Sequence, residues 1–189
     1  MNKSFSVLVG CFLLLGCIPE ENENNKIILS EEDRQALESA STTKEQLTYL
    51  YQNFEPVLNR DDTLKGVDAD ENGIRDDIEE FINALMIPEN ERDFFRQNAR
   101  YIQTVFDYDY TEGTEIDAEI AYAHAVKYDL VINCLIQLNL DWDDATGSRR
   151  MLDALTLNTK LRSQHYASYN KTLDGTAFEI LEPTGDDCE

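Results

Sequence analysis

The sequence has few of the residues that break helices, bind soft metals or build common catalytic motifs. Its 189 residues include 4 prolines, 8 glycines and 2 histidines. Few helix breakers favour long regular elements over a turn-rich chain. His124 and His165 belong to no spaced metal motif, and the chain contains no glycine-rich phosphate loop, Gly-x-Ser-x-Gly or Cys-x-x-Cys pattern. We therefore expect a protein that is not an enzyme.

Positive charge is the other scarcity. The chain has 16 lysines and arginines against 38 aspartates and glutamates, a formal net charge of −22. Such an excess of acid excludes nucleic acid and anionic lipid headgroups as partners, because both repel it. It allows cations, a basic protein or a cationic peptide as partners. The alternative is that the charge only keeps the protein soluble.

Apolar residues recur at the spacing of helices, not at the alternating spacing of half-buried strands. Ser30, followed by three acidic residues, has the pattern of a helix start. The other helical patterns cover residues 43–58, 77–86, a segment opened by Pro88, 114–138 and 143–169. The predicted fold class is all-α, a single bundle-like domain of about five helices over residues 30–189. The nine tyrosines are interpreted as core and half-buried packing.

The amino terminus contains the one apolar run of any length. Lys3 precedes about 11 apolar residues at 5–15, too few to cross a hydrocarbon core of ~30 Å as a helix. The run ends in Leu14-Leu15-Gly16-Cys17, which resembles the lipobox of bacterial lipoproteins. The resemblance implies cleavage of signal peptide 1–16 and lipid modification of Cys17. The alternative is an ordinary signal peptide in which this cysteine is incidental.

Several expectations follow from the predicted export and lipid modification. Residues 17–29 are predicted to be a flexible tether between the lipid and the domain, and the lipid to anchor the protein to a membrane of the bacterial cell envelope. Ile18, where an aspartate would retain the protein, resembles the pattern of an outer-membrane lipoprotein. In that oxidising compartment Cys134 and Cys188 are expected to form a disulfide. The alternative is a free Cys134, since its neighbours are strongly apolar. The oligomeric state is not indicated.

A loop at residues 68–79 has the pattern of a calcium site. Calcium takes six to eight oxygen ligands, and a tight loop directs alternate side chains at one point. Gly73 stands where such a loop turns sharply, and the residue after it offers a backbone carbonyl. The predicted ligands, at loop positions one, three, five, seven, nine and twelve, are Asp68, Asp70, Asn72, Ile74, Asp76 and Glu79.

The loop resembles the EF-hand loop and, more closely, the short calcium loops of thrombospondin type 3 repeats and dockerins. It departs from the EF-hand because Arg75 stands where an aliphatic residue is usual, residues 59–66 do not form an entering helix pattern, and there is one loop instead of two. The resemblance implies a structural Ca²⁺ that fixes the start of the next helix. The alternative is an acidic turn that caps this helix without an ion.

Three functions are compatible with these features. The first is a non-enzymatic, calcium-stabilised lipoprotein that binds a partner or serves the envelope. The second is an inhibitor or immunity-type protein that captures a basic toxin or enzyme through the acidic stretches 107–119 and 141–144. The third is a hydrolase that uses the calcium, which would require a polar pocket beside the loop.

Overall fold

The computed structural model describes residues 26–179 and 181–188. Within these ranges the chain is helical and contains no strand, which confirms the all-α class. The predicted signal peptide, Cys17 and residues 18–25 lie outside the described residues. The helices are α1 Glu31–Ser39, α2 Thr43–Phe54, α3 Asp76–Asn83, α4 Glu89–Thr104, α5 Glu115–Val126, α6 Tyr128–Gln137, α7 Trp142–Thr156 and α8 Lys160–Thr172.

The described residues form eight α-helices where about five were expected, and two of the extra ones come from interruptions of long predicted helices. Segment 114–138 divides at Lys127 into α5 and α6, and segment 143–169 divides into α7 and α8. At the second break Thr159 leaves helical geometry and its side chain accepts a hydrogen bond from the backbone N–H of Arg162. Short breaks of this kind preserve the three- and four-residue spacing of apolar side chains, so the pattern alone did not reveal them.

Helix starts follow their local capping signals. Ser30 and Asp33 form a reciprocal capping box at α1, as its sequence predicted. Helix α2 receives a cap from far along the chain, because the carboxylate of Asp144 accepts from the backbone N–H groups of Thr43 and Lys44 at 2.9 and 3.0 Å. This carboxylate attaches the start of α7 to the start of α2, two helices that pack against each other.

Helix α4 packs against α3, α6 and α7, and the main core lies around it. The predicted stripe of α3 is buried there, with Phe81 and Ile82 at 0 % exposure. A smaller cluster at one end contains Val105, Tyr110 and Tyr169. The chain after the short 3₁₀ helix Glu55–Val57 runs without helix to residue 75 and is attached to this framework at both ends.

Both ends of the described chain are fastened to the bundle. The Sγ atoms of Cys134 and Cys188 lie 2.17 Å apart in a disulfide, so the carboxyl-terminal segment is joined to α6. At the other end, the backbone N–H of Ile27 donates to the Glu80 carboxylate at 3.0 Å, within the last four residues of the predicted tether. None of the helices in the described ranges has the length and apolarity needed to cross a membrane.

Candidate metal centre

The predicted calcium loop connects an irregular segment to helix α3. Residues 58–75 contain no helix, as expected from the absence of an entering helix pattern. Gly73 has φ +84°, a left-handed conformation that glycine adopts without steric cost, and the chain reverses there. Helix α3 then begins at Asp76, so its first turn carries Asp76 and Glu79 back to the loop.

Three of the predicted ligands converge. One carboxylate oxygen from each of Asp68, Asp70 and Asp76 lies within 4.8 Å of the others. These side chains are half-buried or exposed, so water and ions reach them. Three negative charges at this separation repel one another, and an all-oxygen set without histidine or cysteine matches a hard cation such as calcium. Magnesium requires a tighter octahedron and fits such a flexible shell less well.

Backbone hydrogen bonds hold two of these carboxylates in place. The two oxygens of Asp68 accept from the N–H groups of Asn72 and Gly73 at 3.1 and 2.9 Å. Asp76 accepts from the N–H of Ala69 at 2.9 Å, and its own N–H donates to the Val67 carbonyl at 2.9 Å. The loop is therefore closed by its own backbone, and the carboxylates are oriented without a long-range partner.

Asn72 and Glu79 extend the cluster. The amide Nδ2 of Asn72 donates to Asp70 at 2.9 Å and to Glu79 at 3.1 Å, which places Glu79 beside the three aspartates. The Oδ1 of Asn72 accepts from the N–H of Ile74 at 2.9 Å. Ile74 itself has its side chain in the core, at 1 % exposure, so only its backbone is available to the loop.

A buried ion pair anchors the end of the loop, and the sequence analysis did not identify it. The side chain of Arg75 is fully buried, and its Nε donates to the Asp77 carboxylate at 2.5 Å. Its two other nitrogens donate to the Thr156 and Leu155 carbonyls at 3.0 and 3.3 Å, at the end of α7. The signal was present in the sequence as a charged residue at the position where EF-hand loops usually have an aliphatic one.

The approach to the loop is held by a second buried arginine. Arg162 of α8 donates to the carbonyls of Leu64 and Asn59 at 3.0 and 2.8 Å. Burial, together with the nearby charge of Arg75, lowers the pKa of Arg162 to about 10, so it stays charged at neutral pH. Gly66, with φ +71°, passes so close to the Arg75 side chain that a Cβ atom would overlap it. The two arginines thus connect the loop to both of the last helices.

The acidic stretches proposed as a contact surface contain several carboxylates with structural roles. Asp117 accepts from the Tyr108 hydroxyl at 2.7 Å and from the backbone N–H of Thr114, with which it forms the capping box of α5. Asp141 caps α7, and Asp144 caps α2. These three carboxylates are therefore engaged within the domain.

Comparison with known proteins gives no assignment: no family model, curated protein or solved structure matches the chain.

Proposed function

We propose that this protein is a bacterial envelope lipoprotein whose helical domain is stabilised by one calcium ion in the 68–79 loop and which acts by binding, without catalysis. The observation that carries the proposal is the convergence of the Asp68, Asp70 and Asp76 carboxylates within 4.8 Å, at the spacing of a calcium loop. An ion there would remove the repulsion between them and fix the first turn of α3.

The role of calcium is structural in this proposal. The loop ends in the buried pair of Arg75 and Asp77, which contacts α7, and Ile78 of the next turn lies in the core at 1 % exposure. An ion bound to the loop would therefore stabilise the packing of α3 on its neighbours. A calcium sensor would instead open a methionine-rich face, and the chain has 3 methionines, one of them Met1.

The anchor is supported by the tetrapeptide Leu14-Leu15-Gly16-Cys17 after a short apolar run. Residue 26 is the first described residue, and the eight residues 18–25 lie between it and Cys17. The nine residue-to-residue steps span at most about 30 Å when the chain is fully extended, so lipid at Cys17 would keep the domain close to the membrane surface. Ile18 favours the outer membrane as that surface.

The proposed alternative, an acidic inhibitor of a basic protein, receives less support from the fold. Its candidate surface depends on the stretches 107–119 and 141–144, in which the carboxylates of Asp117, Asp141 and Asp144 already take part in capping helices. We retain a basic partner as an outcome that co-purification from detergent-solubilised envelope would detect.

Expression of the full chain in a bacterium that processes lipoproteins tests the anchor. Labelled palmitate should enter the wild-type protein and the protein should stay with membranes after a high-salt wash. Cys17→Ser should abolish both properties. Cys11→Ser, a change within the predicted signal peptide, is the matched control and should leave both unchanged. Membrane retention of Cys17→Ser would refute the anchor.

A further inference from the structure

A cavity of about 410 Å³ contains none of the residues of the calcium loop in its lining. Five helices, α4 to α8, and the carboxyl-terminal segment contribute to its wall. Its aromatic lining comes from Tyr101, Tyr128, Tyr166, Tyr169 and Phe178, and its charged lining from Asp129 and Arg149. Cavities of this size that combine aromatic walls with a few polar groups are typical of small-molecule sites.

The tyrosine side chains give the cavity ring surfaces and hydroxyl groups. The rings of Tyr101 and Tyr128 are 5.3 Å apart and those of Tyr166 and Tyr169 are 5.8 Å apart, both pairs tilted. The hydroxyls of Tyr101 and Tyr169 are hydrogen-bonded to each other at 3.1 Å. Burial raises the pKa of Tyr169 to about 12, so its phenol stays neutral.

Arg149 supplies a donor whose charge is already compensated. Its Nη1 donates to Asp153 at 2.6 Å, and both side chains are about 85 % buried, with exposures of 14 and 15 %. Its guanidinium also lies over the Tyr128 ring, 5.2 Å from the centroid. The Nε of Arg149 is buried and makes no hydrogen bond to the described residues. The 14 % of the Arg149 side chain that stays accessible lines the cavity, which leaves this side chain available to a ligand oxygen.

The carboxyl-terminal segment completes the wall. Leu181 donates its N–H to the Asp129 carboxylate at 3.0 Å and accepts from Asn133 at 3.2 Å. Phe178 stacks on Tyr122, with centroids 5.4 Å apart and planes at 11°. The Cys134–Cys188 disulfide joins the end of the segment to α6. Phe178 is therefore held at the cavity by the Tyr122 ring and by the attachment of the segment that follows it, although 42 % of its surface is exposed.

Charge decides the class of ligand. The lining contains one guanidinium, Arg149, which pairs with Asp153, and one carboxylate, Asp129, which accepts from the Leu181 N–H. Both charges are engaged within the domain, so the lining favours neither an anion nor a cation. The lining also includes the Asn170 amide and phenols, which offer both donors and acceptors. Hydroxyl groups require both, and the C–H face of a sugar ring packs on aromatic rings.

We propose that this cavity binds a neutral, hydroxyl-bearing ring, a sugar unit of a glycan, with its apolar face on the tyrosine rings and Phe178 and its hydroxyls on Arg149, Asp129 and Asn170. This binding is separate from the calcium loop and does not depend on it. It gives the domain a ligand, which the proposed function leaves open.

Saturation-transfer NMR on the full chain with the disulfide intact tests this inference. The probes are methyl glucoside, methyl galactoside, N-acetylglucosamine, maltose and cellobiose, with choline and benzoate as a cationic and an anionic probe. Saturation should reach the ring protons of at least one sugar and neither charged probe. Transfer to choline or benzoate but to no sugar would overturn the proposal, and so would transfer to none of the seven.

Variants locate the binding. Phe178→Ala should raise the dissociation constant of the bound sugar about tenfold or more. The variant should fold because Phe178 is partly exposed. Asp129→Asn should weaken binding while keeping an acceptor for the Leu181 N–H. Tyr51→Ala removes an exposed tyrosine of α2 outside the cavity and should change nothing. Equal affinity of Phe178→Ala and wild type would refute the assignment to this cavity. Glu79→Gln should bind the sugar normally, so failure of the calcium proposal would be recognised separately.

Discussion

Arg75 and Asp77 form an ion pair two residues apart in the chain, and both side chains are essentially buried, at 0 and 3 % exposure. Each of the three guanidinium nitrogens of Arg75 donates a hydrogen bond. Asp77 also accepts from the Asn59 N–H at 2.7 Å, while Arg75 reaches the carbonyls at the end of α7. The two residues therefore join the start of α3, the chain before the loop and α7.

Removal of one member of this pair should be strongly destabilising. Asp77→Ala leaves the Arg75 charge buried without a counter-ion, and we expect a loss of about 3–5 kcal/mol in the free energy of unfolding. Arg75→Met with Asp77→Ala in one chain should lose less than the sum of the single changes. Asp62→Asn, an exposed change nearby, is the control. Urea denaturation measures Asp77→Ala, Arg75→Met, the double variant and Asp62→Asn, and a loss under 1 kcal/mol for Asp77→Ala would contradict this role.

Calcium should raise the melting temperature. At about 10 mM calcium, ten to a hundred times a Kd of ~10⁻⁴ to 10⁻³ M, the free energy of unfolding should rise by about 1.4 to 2.7 kcal/mol. Magnesium at the same concentration should have a much smaller effect. Glu79→Gln and Asp68→Asn should remove most of the calcium effect, and Asp62→Asn should keep it. An identical melting temperature in chelator and in calcium would reduce the loop to an acidic turn.

Alanine substitutions at Gly66 and Gly113 separate the cost of a positive φ from the cost of a steric overlap. Both have positive φ, +71° and +66°, but a Cβ on Gly66 would overlap Arg75 whereas a Cβ on Gly113 has no atom within 4 Å. Gly113→Ala should cost about 1 kcal/mol for the left-handed backbone. Gly66→Ala should cost clearly more, because Arg75 cannot move without loosening its pair with Asp77. Equal losses of stability for the two variants in thermal unfolding would show that the Arg75 side chain can move aside without cost.

The disulfide should stabilise the domain through its unfolded state. A bridge over a sequence separation of 54 residues corresponds to about 4 kcal/mol on a loop-entropy estimate. Peptide mapping of non-reduced protein should identify Cys134 linked to Cys188, and Cys188→Ser should lower the free energy of unfolding by up to that amount. Alkylation of both thiols in denatured, unreduced protein would disprove the bond.

Because of His124, the free energy of unfolding should decrease as the pH is lowered. Burial, with the charge of Lys127 nearby, lowers the pKa of His124 from its ordinary 6.5 to about 4. The unfolded chain then binds a proton that the folded one does not, so this stabilising contribution is complete above about pH 6.5 and is lost as the pH falls toward 4. His124→Phe keeps a ring against Tyr101 and should make the difference in unfolding free energy from wild type vary only in this range. A constant difference would exclude the mechanism.

The sequence by itself determined the helical class and the grouping of the loop carboxylates. Apolar spacing reports which face of a helix is buried, and the stripe of α3 is buried as expected. The convergence of Asp68, Asp70 and Asp76 was predictable because all three lie within nine residues, where a tight turn fixes their geometry. The pairing of Cys134 with Cys188 followed from the two thiols that the predicted processing leaves.

Only the tertiary structure decided which residues that are far apart in the sequence come into contact. The aromatic cavity brings Tyr101, Tyr128 and Tyr166 together from three helices, and in the sequence each has the pattern of an ordinary packing residue. Arg75 is polar by composition but buried by its contacts with Asp77 and α7. The physical reason is that periodicity records whether a side chain is buried, while its partners depend on contacts between residues far apart in the sequence.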